Sequence, residues 1–71
     1  MGKVIESHTM FDKAFHRFRI TVLKGFGRYE IRVDDSFWAT ADSRREIDEE
    51  IEEIKNLYHL TTPIETLANI I

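Results

Sequence analysis

The chain has 71 residues, with 42% apolar and 32% charged side chains, 13 acids against 10 bases, a net charge of −3 and no cysteine. That length holds one small domain, and the composition excludes a disordered chain, a disulfide framework and a cysteine-based zinc site. The acidic balance argues against a non-specific nucleic-acid binder, no apolar run reaches membrane-spanning length, and no signal peptide is visible, so a cytoplasmic protein is expected. A core this small is marginal alone, which raises the expectation of self-association.

Residues 1–13, with "KVIESHTMFDK" at their centre, read as an N-terminal arm or an extra edge strand. "FHRFRITV" alternates, with His16, Phe18, Ile20 and Val22 on one side and Arg17, Arg19 and Thr21 on the other, the pattern of a half-buried strand. "KGFG" supplies two glycines for a turn, and "RYEIRV" alternates again, Tyr29, Ile31 and Val33 against Arg28, Glu30 and Arg32. Pairing the apolar sets puts Val22 near Tyr29, Ile20 near Ile31 and Phe18 near Val33. "DDS" is a second turn, and "FWATA" a third strand. A three-residue loop sends Phe37, Ala39 and Ala41 to the buried face and Trp38 and Thr40 to the arginines. A two-residue loop swaps them.

"ADSRREIDEEIEEIKNLYHL" reads as a helix, with a capping box from Ser43 to Glu46 and an apolar stripe of Ile47, Ile51, Ile54 and Tyr58. "TTPIETLANII" restarts it: Thr62 caps, Pro63 takes the first helical position, Glu65 completes a second box, and Ile64, Leu67, Ala68 and Ile71 form an apolar side. The expected fold is α+β in the order β-β-β-α-α. A long amphipathic helix covers a three-stranded antiparallel sheet, with a fourth strand possible at the N-terminus and a short helix at the C-terminus.

"KGFG" matches the opening of the RNA-recognition strand signature, but Arg28, Tyr29 and Ile31 then depart from it. The residues before Lys24 are also too few for the strand, helix and strand that such a domain needs upstream. The stretch is a hairpin. Phe26 at its tip is expected to fold back on the sheet edge or cap the core; the alternative, insertion into a partner or stacking on a base, places it among the partner-binding candidates of the sheet face. Arg17, Arg19, Arg28 and Arg32, with Trp38 beside them, make the open sheet face the first candidate binding surface. The plainer alternative is neutralisation by Glu30 and Asp34, with Trp38 stacked over Arg32.

Seven acids in twelve residues (Asp42, Glu46, Asp48, Glu49, Glu50, Glu52, Glu53) read first as a solvated helix face, and second as a docking surface led by Glu46, Glu49, Glu50 and Glu53. The isoleucine stripe is better explained as a sheet cover than as a coiled-coil seam. Ile70 and Ile71 either dock on the core or meet a second chain. His8, His16 and His59 are scattered, with His16 on the apolar strand face. Ser7, His8, Thr9 and Asp12 are adjacent in sequence without triad geometry, and no Cys nucleophile, phosphate loop or metal-ligand spacing is present, so neither catalysis nor a cofactor or metal is expected.

The favoured expectation is a non-enzymatic regulatory module binding a protein partner or itself; the alternative is DNA binding by the arginine face. Three antiparallel strands, a helix and "FWATADSRREI", over about residues 14–58, resemble the arm-binding domains of phage-type integrases and plant AP2 domains. The resemblance implies a sheet in the major groove backed by the helix, with Arg17, Arg19, Arg28 and Arg32 on DNA and Trp38 beside them. The acidic balance departs from the basic one usual in those families.

Overall fold

Alternation of apolar and polar residues through Arg17–Val33 builds the centre of a sheet, and the isoleucine-rich stretch after it supplies the cover. The computed structural model describes residues 2–70, Asn69 and Ile70 by backbone alone. The order is β1 (Lys3–Phe11), β2 (Arg17–Lys24), β3 (Tyr29–Val33), β4 (Ser36–Ala41), α1 (Arg44–Tyr58) and α2 (Pro63–Ile70). The strands form one antiparallel meander, β1-β2-β3-β4, so the N-terminal segment is a fourth, edge strand. Helix α1 lies across β3 and β4, and α2 lies against β1.

The core joins Met10, Ile20, Val22, Ile31 and Ala41 of the sheet to Ile47, Ile54 and Leu60, with Phe18, Tyr29, Val33, Trp38 and Ile51 around them. The helices cover one sheet face, and on the other Thr21 and Leu23 of β2 are still buried. The radius of gyration is 12.7 Å, in a body of 43 × 20 × 17 Å, against about 11 Å for a compact chain of this length.

The expected strand faces hold, but the register differs. Val22 pairs with Ile31, Ile20 with Val33 and Lys24 with Tyr29, a shift of two positions that alternation cannot detect because it keeps every side chain on its face. The turn decides it: Gly25 N–H donates to Arg28 C=O (2.9 Å), leaving Phe26 and Gly27 at the tip, with Gly27 at φ 74°. His16 lies outside β2 and is exposed, correcting its expected place on the apolar face; its Nδ1 is 3.2 Å from Asp12 Oδ2.

Val33 pairs with Ser36, so the β3–β4 loop is the two residues Asp34 and Asp35, at φ 50° and 67°. Two central residues at positive φ fit the twist of a tight hairpin. The short loop turns Phe37 toward Arg32 on the open face. A bulge at Trp38 then inserts one extra residue, which returns Ala39 and Ala41 to the core side opposite Ile31 and Tyr29. Loop length and bulge together exchange the expected places of Phe37 and Trp38.

Helix α1 starts with Ser43 Oγ accepting Glu46 N–H (3.3 Å), while the Glu46 carboxylate takes Asp42 N–H (2.5 Å), one residue earlier than a reciprocal box would. It stops at His59, in the left-handed region, after which Leu60 turns into the core. Helix α2 has the full reciprocal box: Thr62 Oγ1 accepts Glu65 N–H (3.2 Å) and Glu65 accepts Thr62 N–H (3.1 Å). Its expected burial does not occur, since Ile64, Leu67 and Ala68 are all exposed. Thr61 is joined to Phe11 by paired backbone hydrogen bonds of 2.9 and 2.8 Å, which set α2 beside β1 with its apolar side outward. Ile71 and the Ile70 side chain lie outside the described residues.

Candidate functional site

The four arginines do not form one patch. Arg17 and Arg19 lie at the β1–β2 end of the open face, opposite Phe11 and Thr9. Arg28 lies in the β2–β3 loop, eight residues along β2 from Arg17, roughly 26 Å away at strand rise, and its Nε bonds Asp42 Oδ1 at 2.7 Å. Arg32 is between them, half-buried and paired with Glu30, the neutralising partner expected. Asp34 instead accepts the Arg19 backbone N–H at 2.9 Å. Among the described residues neither Arg17 nor Arg19 forms an ion pair. With Asp34 and Asp35 they line a shallow polar hollow of about 320 Å³.

Trp38 is not part of this face. The two-residue loop turns it to the helix side, where Nε1 donates to Glu50 Oε1 (3.0 Å) and its ring meets Tyr58 at 6.3 Å between centroids. Tyr58 also stacks at 5.2 Å on Phe18, so the three aromatics close one end of the core. The exposed aromatic on the arginine face is Phe37.

The acids of α1 are largely engaged. Asp48 pairs with Arg44 (2.8 Å), Glu49 with Arg45 (3.1 Å) and Glu52 with Lys55 (3.9 Å) at helical spacing. Glu46 closes the cap and Glu50 holds Trp38. Glu53 is exposed and outside these pairs. The helix face is a solvated, internally paired surface.

Between β1 and α1 lies a groove of about 300 Å³ lined by Glu6, His8, Arg44, Asp48, Glu52 and Lys55 over Met10 and Ile51. Glu6 and His8 occupy core-side positions of an edge strand that α1 does not fully cover. Arg44 donates two hydrogen bonds to Glu6, one of them 3.0 Å long, and His8 contacts the same carboxylate. The Arg44 bonds, opposed by burial and aided by His8, hold the Glu6 carboxyl down to about 2. This cluster ties the start of α1 to β1. Among the described residues no group of His, Cys, Asp or Glu is arranged to hold a metal ion, and no helix is long and apolar enough to cross a membrane.

The two hairpin tips that carry aromatics differ in kind. Phe26 projects fully into solvent, 101% exposed, correcting the expectation that it folds back. At the β1–β2 tip, Asp12 Oδ1 accepts the N–H groups of His16 (2.8 Å) and Ala14 (2.9 Å), and these bonds lower its pKa, the His16 one foremost. The turn then needs a left-handed residue before β2, a position that favours glycine. Phe15 takes it at φ 64° and leaves its ring 60% exposed.

Beside that ring is an apolar concavity of about 310 Å³, lined by Phe11, Phe15, Pro63, Thr66 and Leu67. Leu67 is 60% and Ile64 80% exposed next to it. Sequence reasoning missed this surface. Its available signals were an aromatic where "DKAFH" needs a turn residue, and a second helix whose apolar side exceeds what a small sheet can cover. No protein-family model, curated protein or solved structure matches the chain.

Proposed function

We propose that the protein is a non-enzymatic binding module that works by protein–protein contact through the apolar surface where the β1–β2 tip meets α2. The carrying observation is Phe15, a bulky residue held in a left-handed backbone conformation with its ring mostly exposed. Such strain persists only where the surroundings impose it, and it concentrates at functional positions. Phe11, Pro63 and Leu67 line one concavity with the ring, and Ile64, next to Pro63 in the chain, is 80% exposed; exposed apolar side chains gathered in this way mark a contact surface. In-cell photocrosslinking tests the reading. Ile64→p-benzoylphenylalanine should trap protein adducts, and the same substitution at Glu53 should not. Absence of adducts at Ile64 removes the reading.

Nucleic-acid binding is the second reading, favoured by the unpaired guanidinium groups of Arg17 and Arg19. Asp34 and Asp35 in the same hollow oppose it, since they would repel phosphate. Anisotropy of labelled duplex DNA, single-stranded DNA and RNA at low salt decides. The contact reading expects no salt-steep micromolar binding. Such binding, lost in the Arg17→Glu/Arg19→Glu double variant, would put the sheet face first.

A further inference from the structure

We propose that the hollow between β2 and the β3–β4 turn binds a small zwitterion, an α-amino acid with an apolar side chain; this site is independent of the contact surface above.

Charge defines the ligand. The hollow is lined by Arg17, Arg19, Asp34 and Asp35, two cations and two anions. The arginines stand two residues apart on one face of β2, and the aspartates are adjacent in the turn, so each like-charged pair repels itself. The strand and the turn are tied together through the backbone: Arg19 N–H donates to Asp34 Oδ1 (2.9 Å) and Asp34 N–H to Arg19 C=O (2.8 Å). Yet among the described residues neither guanidinium pairs with either carboxylate. The next cation on this face, Arg32, is held by Glu30 and leaves the balance unchanged.

Two separated poles of opposite sign discriminate between ligands. Phosphate gains from the arginines and is repelled by the aspartates, and a metal ion meets the reverse. A molecule that carries a carboxylate and an ammonium together satisfies both poles. Its carboxylate accepts from the guanidinium groups, and its ammonium donates to the aspartates.

Size and surroundings set the rest. A volume of about 320 Å³ lies at the lower end of small-molecule sites, roughly 300 to 1,000 Å³. Phe11 is the cross-strand neighbour of Arg17 and also lines the apolar concavity. A ligand side chain directed toward β1 therefore meets an aromatic ring, which favours an apolar one. All four lining residues are exposed, so each ion pair is weak and the affinity is expected in the low-millimolar range.

Amide chemical shifts of the isotope-labelled full chain, titrated with leucine, test this. Leucine should shift the amides of Arg19, Asp34 and Asp35 and saturate in the low-millimolar range. Acetate and methylammonium, which carry its two charges separately, should each bind about tenfold more weakly. Glycine, which lacks the side chain, should bind about threefold more weakly. Arg19→Gln and Asp35→Asn, both at exposed positions, should each weaken leucine about fivefold with unchanged circular dichroism. No saturable shift at tens of millimolar leucine overturns the site. Phosphate binding more tightly than leucine overturns the zwitterion and favours the nucleic-acid reading. Leucine binding unchanged in both variants overturns the assignment to this hollow, and glycine binding as tightly as leucine overturns the place given to the side chain.

Discussion

The two helices start from the same instructions and reach opposite ends. Each opens on a hydroxyl cap with a glutamate three residues on, and each has apolar residues at three- and four-residue spacing. In α1 that stripe is consumed: Ile47 and Ile54 are buried and Ile51 is half-buried. In α2 it stays open, with Ile64 and Leu67 in solvent. Periodicity defines an apolar face, but the area of sheet left to cover decides whether the face is used inside the molecule. Helix α1 takes the sheet over β3 and β4, and the core-side positions left open on β1 carry Glu6 and His8, which offer α2 no apolar surface. The second helix is tied to β1 by the Thr61–Phe11 bridge and by the contact between the Thr61 and Thr66 hydroxyls, while Ile64 and Leu67 stay mostly in solvent.

The sharpest way to break this contrast is to empty equivalent positions. Ile54→Ala, at a fully buried site, should lower unfolding stability by about 3 kcal/mol, enough to leave so small a domain largely unfolded. Leu67→Ala at dilute concentration should stay within about 0.5 kcal/mol of wild type. Urea denaturation read by circular dichroism measures both. A loss at Leu67 close to that at Ile54 would mean that α2 belongs to the core.

The caps give a smaller test. Ser43→Ala should cost about 1 kcal/mol of global stability. Thr62→Ala should instead fray α2 locally, seen as faster amide exchange at Glu65 and Thr66 with little change in the global midpoint. Equal global losses would unite the helices in one cooperative unit.

The smallest effect is confined to acid and concerns the anchoring of α1. The Glu6 carboxyl has a folded pKa of about 2 against an ordinary 4.5. A depressed carboxyl contributes stability that is fully present above about 4.5 and is lost as pH falls toward 2. Glu6→Gln should therefore be less stable than wild type near neutrality, and the gap should close through that window. A gap that is constant with pH would assign the loss to packing and not to the Arg44 bond.

Much of the candidate surface was hidden in the sequence for particular reasons. Phe15 reads as one more apolar residue entering "FHRFRITV", because neither composition nor alternation records a backbone angle. Ile64 and Leu67 were visible as an apolar side, but a single sequence does not say how much sheet is free to receive it. Trp38 goes with the arginines under a three-residue loop and to the core side under a two-residue one, and alternation alone does not choose between them. Glu6 and His8 hid β1 itself, since polar residues at core-side positions erase the strand pattern on an edge that α1 leaves partly open.

The features legible in the chain are local: the turn glycines, the caps at Ser43 and Thr62, the facing of β2 and β3, and the helix that covers them. These follow from forces acting within a few residues, namely steric limits on φ, hydrogen bonds to free helix ends, and the two periodicities that gather apolar side chains. Tertiary structure alone decided the two-residue register shift, the exchange of Phe37 and Trp38, the pairing of Arg28 with Asp42, and the exposure of α2. Each depends on a distance between segments far apart in the chain, and on a competition for limited covered area that no local pattern encodes.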